Sequence, residues 1–249
     1  MIFRCLMLYV LFGLVAWPAT DADALIREGL AAEAVHASGR ALDQFLAADA
    51  ARPNDPYILQ KIAQQYSDST GDVPDPAARK ILATQALAYA QRASQLAPDN
   101  AVNTLSVAIS YGKIGLYSNL REKITYVRLS EEYAERALAQ DPNYDWAYHV
   151  LGRWNYEVAK LGKTKRFLVE LLYGGLPAAS SARAVDLLKR AVELAPENPA
   201  HHIELGFAYL ADDQSAAARQ AFTTGLALPN LGKHDAETKE RARTALADL

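Results

Sequence analysis

The sequence predicts an all-α solenoid, a right-handed stack of helical pairs with expanded central repeats. Three observations carry this reading. From residue 25 onward Ala, Leu, Glu, Gln, Lys and Arg dominate, and Gly and Pro fall between long helical stretches instead of within them. A short pattern of small and apolar positions ending in proline recurs along the chain. Its recurrence leaves room each time for two helices and a turn.

The N-terminal segment stands apart. Met1 to Arg4 gives a short basic start, "CLMLYVLFGLVAW" gives a continuous apolar run, and "PATDADA" supplies small residues at the spacing of a processing site. Residues 1–24 are therefore expected to be a signal peptide, cleaved after Ala22 or Ala24. The apolar run is short for a membrane span. Residues 25–249 are expected to form one domain of about five helical pairs, exported and periplasmic if the source is a Gram-negative bacterium, with no stable transmembrane insertion after cleavage. Cys5 is the single cysteine and lies inside the leader, so no disulfide or thiolate is expected in the mature chain.

The repeats follow in order. "ALDQFLAADARP" closes the first, with Ala41, Phe45, Ala48 and Pro53 at steps of four, three and five. Ala86, Ala90, Ala93 and Pro98 repeat these steps, as do Ser130, Ala134, Ala137 and Pro142, then Ala184, Leu188, Ala191 and Pro196. Ala218, Phe222 and Gly225 make a fifth version, with Pro229 one residue early. Steps of four and three hold these positions on one helical face, and the proline then ends the helix because it lacks an N–H and biases its predecessor away from helix. A preceding helix is expected around Leu25 to Ala32, Leu59 to Tyr66, Val107 to Tyr111, Leu151 to Asn155 and Leu205 to Tyr209. The last unit, about 34 residues long, looks like a tetratricopeptide repeat, with Gly206 where two helices cross. Proline spacings of 45, 44 and 54 residues then imply insertions between the two helices of repeats two, three and four.

In such an array the first helices line the concave surface. The register of repeat four puts Leu151 and Gly152 in the core and directs Trp146, His149, Arg153 and Tyr156 to the inner face. The equivalent positions elsewhere are Tyr57, Gln60, Gln64 and Ser67 in repeat two, and Ile203, Phe207 and Leu210 in repeat five. This is a candidate peptide-binding groove, with aromatics to cover side chains and polar groups to bond a backbone. Lys160, Lys163, Lys165 and Arg166 form a candidate anion-binding cluster at the start of the repeat-four insertion. A solvated helix end whose cations suit a C-terminal dipole is its ordinary explanation. The apolar run Phe167 to Tyr173 is expected to pack inside the solenoid.

Chemistry is poorly represented. Asp145 and His149 supply only two ligands of a metal site and need a third from elsewhere. His201 and His202, adjacent at the start of a repeat, read as turn or surface residues. No phosphate loop or nucleophile elbow occurs, and no catalytic residue, metal or cofactor is expected. The net charge of −3 lacks the positive surplus that nucleic-acid binding requires.

"YHVLGRWNYEVAKLG", "GGLPAASSARAVDLLKRAVELAPENPAHHIELGFAYL" and "AFTTGLALPNLGKHDAETKERARTAL" together resemble the regulator of microtubule dynamics family, over roughly residues 57 to 247. Leu151, Gly152, Arg153, Tyr156, Lys160 and Leu161 carry its leucine-glycine-arginine helix, and Gly174, Pro177 and Ser180 its glycine-proline segment. Asn198, Tyr209, Leu210 and the closing "LALP" match its last repeat. The resemblance implies tetratricopeptide-like repeats, protein–protein contact, microtubule association for some eukaryotic members, and no enzymatic residue set. The signal-like start departs from a cytosolic tubulin-binding role. The expected function is a protein- or peptide-binding scaffold, with an unidentified partner, and the alternative is a binding protein for a small anionic ligand or lipid.

Overall fold

The structure, a computed structural model, describes residues 21–249, apart from the side chains of Lys163 and Arg166; residues 1–20, which hold most of the expected signal peptide and Cys5, lie outside the described residues. Every regular element among the described residues is an α-helix. Five pairs follow one another: α1 (Ala22–Ala34) with α2 (Ser38–Ala51), α3 (Pro56–Ser69) with α4 (Pro76–Leu96), and α5 (Ala101–Leu116) with α6 (Leu120–Gln140). Next come α7 (Asp145–Ala159) with α9 (Ser181–Leu194), an extra helix α8 (Gly162–Tyr173) between them, α10 (Pro199–Ala211) with α11 (Ser215–Ala227), and a single closing helix α12 (Asp235–Ala247). Each first helix packs on its own second helix and on the second helix of the preceding pair, which makes the stack an α-α solenoid.

The closing prolines sit in the turns that join pairs, and each is followed two residues later by the N-cap of the next first helix. Asp55, Asn100 and Asn198 accept from the backbone N–H groups of Tyr57 and Ile58, Asn103, and Ala200 respectively. The repeat positions between them are the core. Ala41, Phe45, Ala48, Ala86, Ala90, Ala93, Ala134, Ala137, Ala184, Leu188, Ala191, Ala218 and Phe222 are all completely buried. Ser130, the one polar member of the set, donates its Oγ hydrogen to the Ala108 carbonyl at 2.9 Å and so satisfies itself across the pair.

Two glycines show how close the crossings are. A Cβ on Gly152 would stand 2.5 Å from Leu188, and one on Gly206 would run into the ring of Phe222. The side chain at the second repeat position thus fills the space the glycine leaves, a small-into-large fit.

The insertions of repeats two and three become helix length. α4 and α6 each run 21 residues against 14 for α2, and tyrosines line the added contacts: Tyr66 stacks on Tyr89 and Tyr111 on Tyr126, while Tyr133 meets Tyr111 at a tilt of 50°, with centroids 5.8 Å apart in each pair. Repeat four differs. Its insertion makes α8, and the expectation that Phe167 to Tyr173 packs inside the solenoid is corrected: Phe167, Leu168, Leu171 and Leu172 are exposed. The inner position is filled by α9, whose Val185 and Leu188 pack the core against Tyr156 and Leu205.

The C-terminal segment returns to the beginning of the array. Lys233 Nζ donates to Ser38 Oγ at 2.9 Å, to the Asp68 carbonyl at 3.2 Å and to Asp72 Oδ2 at 2.7 Å, and His234 Nε2 lies 3.2 Å from Asp68 Oδ1. The α11–α12 turn therefore touches the start of α2, the end of α3 and the loop that follows α3, and α12 packs on α10 and α11.

Candidate inner-face recognition site

The stripe on α7 is present, but most of it serves the joint with α10. Asp145, His149, Arg153 and Tyr156 follow one another down the helix at steps of three and four. Opposite them stand His201 and Glu204 of α10. His201 Nε2 lies 2.8 Å from Asp145 Oδ2, and His201 Nδ1 lies 2.9 Å from His149 Nδ1. Burial pushes the Asp145 carboxyl up, but the hydrogen bond and charge of His201, together with backbone N–H groups at the start of α7, outweigh it and hold the pKa below its usual value. The ionised carboxylate accepts from Nε2–H, which leaves His201 Nδ1 to accept from His149 Nδ1–H. Burial, and then the neighbouring His201, push the His149 pKa well below its ordinary value. Trp146 covers both imidazoles, with centroids 4.8 and 5.0 Å away.

His201 therefore supplies the third group that metal binding at Asp145 and His149 would need. The geometry is that of a hydrogen-bonded chain, however: both His201 ring nitrogens already face a partner, and no cluster among the described residues converges on a metal position. The surface role expected for His201 is corrected, because its ring is completely buried.

Lower on the joint, Glu204 is a buried carboxylate with three partners. Tyr156 donates its hydroxyl to Oε2, while Arg241 of α12 donates to Oε1 at 3.2 Å. The Arg153 guanidinium pairs with the same oxygen at 3.8 Å, beyond hydrogen-bond length. The Arg153 side chain stays 51% exposed, against 2% for Glu204. Burial, then the charge of Glu204, raise the Tyr156 phenol well above its normal pKa, so it stays a donor. Lys160 Nζ lies 4.5 Å from the Tyr156 ring centroid, and Arg241 stacks 4.6 Å from that of Phe207.

The proposed groove residues thus fall into two groups. Tyr57, Trp146 and Arg153 keep an open surface. Tyr156 and Ile203 are wholly buried, and His149 and Gln60 nearly so. The reason is that a first helix has neighbours on both sides, so part of the stripe facing the groove also faces the next first helix. Gln60 donates to Ser106 on α5 at 3.3 Å, Gln64 donates to Glu33 on α1 at 3.1 Å, and Ile203 joins the core of Phe222 and Ala242. Phe207 is partly buried under Arg241. In the anion-binding cluster, Lys160 pairs with Glu157 at 3.5 Å, Lys165 is exposed, and the side chains of Lys163 and Arg166 lie outside the described residues.

One further group carries no mark in the sequence. Lys113, at the end of α5, is partly buried, and burial depresses its ammonium pKa. Its Nζ has Thr70 Oγ1 at 3.5 Å, and the charges it feels come from Asp68, Arg153, Glu237 and Lys233. The charges acting on this α5 cation thus belong to α3, α7 and the α12 region. A lysine in a helix's last turn looks like dipole compensation in the sequence, and nothing local marks it as inward-facing.

Comparison with known proteins agrees with this architecture. The model of the family described as Regulator of microtubule dynamics protein 1-3 matches residues 20–249. Regulator of microtubule dynamics protein 3 of Xenopus laevis is 28% identical over 182 residues, covering 73% of this chain and 39% of the relative. Regulator of microtubule dynamics protein 2 of Homo sapiens is 25% identical over 194 residues, covering 77% of this chain and 47% of the relative. The chain thus spans less than half the length of these curated relatives. Among solved structures, a thermophilic TPR protein of Thermus thermophilus superposes with a TM-score of 0.66 at 19% identity, over 91% of this chain and 99% of that one. MamA 41-end of Desulfovibrio magneticus does so with a TM-score of 0.52 at 17% identity, over 85% and 97%. These likenesses establish the tetratricopeptide-like solenoid.

Proposed function

The chain belongs to the regulator of microtubule dynamics protein 1-3 family, and from that premise we propose that it is a recognition scaffold binding an acidic protein segment on its inner face, with no chemical step. The observation that carries this is the pair Lys113 and Arg153 on neighbouring first helices. Lys113 is partly buried with a hydroxyl at 3.5 Å, and Arg153 is half-exposed with its carboxylate at 3.8 Å. Both cations retain N–H donors, and a guanidinium is suited to gripping a carboxylate with two parallel bonds. Trp146 and Tyr57 offer exposed aromatic surface for adjacent side chains. The relatives are named as regulators of microtubule dynamics, and a protein of the microtubule system is one source of such a segment. The leader-like sequence of residues 1–24 supports instead a partner met outside the cytosol.

The small-anion reading rests on Arg153 with the basic stretch Lys160, Lys163, Lys165 and Arg166, so it shares one cation with the proposal and predicts a different binder. The test is affinity capture from the native source with the wild-type protein and a Lys113→Ala/Arg153→Ala variant. Arg153→Ala removes the longest of the three Glu204 contacts and leaves those from Tyr156 and Arg241 in place, so the thermal midpoint of the variant is checked alongside. A protein retained by the wild type and lost by the variant supports the proposal. Equal capture by both refutes it, and retention of only a small molecule selects the alternative.

A further inference from the structure

We propose that α8 is a membrane-surface helix, which lies in the interface of a bilayer containing anionic lipid with its leucines at the acyl boundary and its basic start against the headgroups. Phe167, Leu168, Leu171 and Leu172 follow one another at helical spacing and form a continuous apolar stripe, and all four are exposed. Four exposed large apolar side chains on one short helix are not the scattered exposure normal for a protein surface. The stripe is also not a by-product of close packing elsewhere. α8 touches the rest of the array mainly through α6, where Arg128 donates to the carbonyls of Tyr173 and Gly175 and so ties down the end of the helix.

Charge selects the occupant. Lys160, Lys163, Lys165 and Arg166 precede or border the stripe, and Glu170 is the only carboxylate between Glu157 and Asp186. Cations at a C-terminal helix end would be ordinary, and Lys160, the C-cap of α7, is such a case. Lys163, Lys165 and Arg166 instead belong to the first two turns of α8, where the helix dipole disfavours positive charge. They oppose the local helix and complement an anionic plane. A second copy of the chain is a poor occupant, because a self-paired α8 would bring two cation-rich stretches together with one carboxylate each. An amphipathic helix with basic flanks and leucines between them matches interfacial lipid binding, and each lysine near such a surface adds to it. The same edge of the array also exposes Leu116 and Leu120, on either side of the turn from α5 to α6.

The test places a polarity-sensitive fluorophore on the full chain at Leu172→Cys, in a Cys5→Ser background so that the label has one thiol. Reading the label on α8 separates its behaviour from that of the apolar N-terminal segment. The probes are vesicles of phosphatidylcholine alone and of three parts phosphatidylcholine to one part phosphatidylserine. The expected result is a blue shift on the anionic vesicles, little shift on the neutral ones, and no shift from a control label at Asn143→Cys, which is exposed in the α6–α7 turn. Lys165→Glu should weaken the anionic-vesicle titration on the order of tenfold. No shift at position 172 on either vesicle overturns the proposal. So does an equal shift on both that Lys165→Glu leaves unchanged. A shift that grows with protein concentration in the absence of vesicles assigns the stripe to a second copy and overturns it as well.

Discussion

The insertions of repeats two and three and that of repeat four occupy the same place in their units and end in opposite outcomes. In α4 and α6 the added residues extend a helix already in the stack, and Tyr66, Tyr89, Tyr111, Tyr126 and Tyr133 roof it with aromatic contacts. In repeat four they form the separate helix α8, whose leucines face solvent. Apolar surface is favourable to bury, at roughly 25 cal/mol per Å². A chain that buries it in two repeats and leaves it out in the third has a surface free for something else. The comparison separates residues that hold the solenoid from residues that the solenoid only carries.

Substitution can break that separation, and the largest effect is expected at a crossing. Gly206→Leu forces a side chain into the space of Phe222 and should cost about 3 kcal/mol of stability, read as a lowered midpoint in urea unfolding. Tyr156→Phe removes the hydroxyl that satisfies buried Glu204 and should cost about 2 kcal/mol, because a hydrogen bond to a charged, desolvated group is lost while Arg241 remains. A smaller effect belongs to pH. The folded-state pKa of His149 lies well below 6.5, so the unfolded chain takes up a proton that the folded chain refuses. Its contribution to stability is complete above about pH 6.5 and is lost as pH falls below it, with a slope approaching about 1.4 kcal/mol per pH unit. Thermal midpoints measured across that window should flatten in His149→Asn relative to wild type. At the far end, Leu171→Ser and Leu172→Ser should each change stability by less than about 0.5 kcal/mol. A large loss at either would place α8 among the structural residues and erase the contrast.

How much of this is written locally in the chain follows the same division. The closing pattern Ala41, Phe45, Ala48 and Pro53 and its copies reports packing that each unit repeats, so the helical pairs, the crossings at Gly152 and Gly206, and the turns are all legible. The inner face is legible only as a stripe. Spacing places Tyr156 and Ile203 on the same helical side as Arg153, but it cannot say where the neighbouring first helix begins to cover that side. His201 and Lys113 are invisible for a related reason. The partner of His201 is Asp145, 56 residues earlier, and the charges acting on Lys113 come from α3, α7 and the α12 region. For α8 the run itself is silent, because an apolar stretch has the same sequence whether it is packed inward or left outside. Only the occupancy of the inner space by Val185 and Leu188 decides between these.

The central claim is that Lys113 and Arg153 recognise carboxylates of a bound segment. Its most direct measurement is fluorescence anisotropy with a panel of peptides identical except for the number of acidic residues, titrated with wild type and with Lys113→Ala/Arg153→Ala. Affinity should rise with acidic content in the wild type, fall as salt is added, and lose that dependence in the variant. Neutral peptides binding as tightly as acidic ones, or an acidic preference that survives in the variant, would contradict the account.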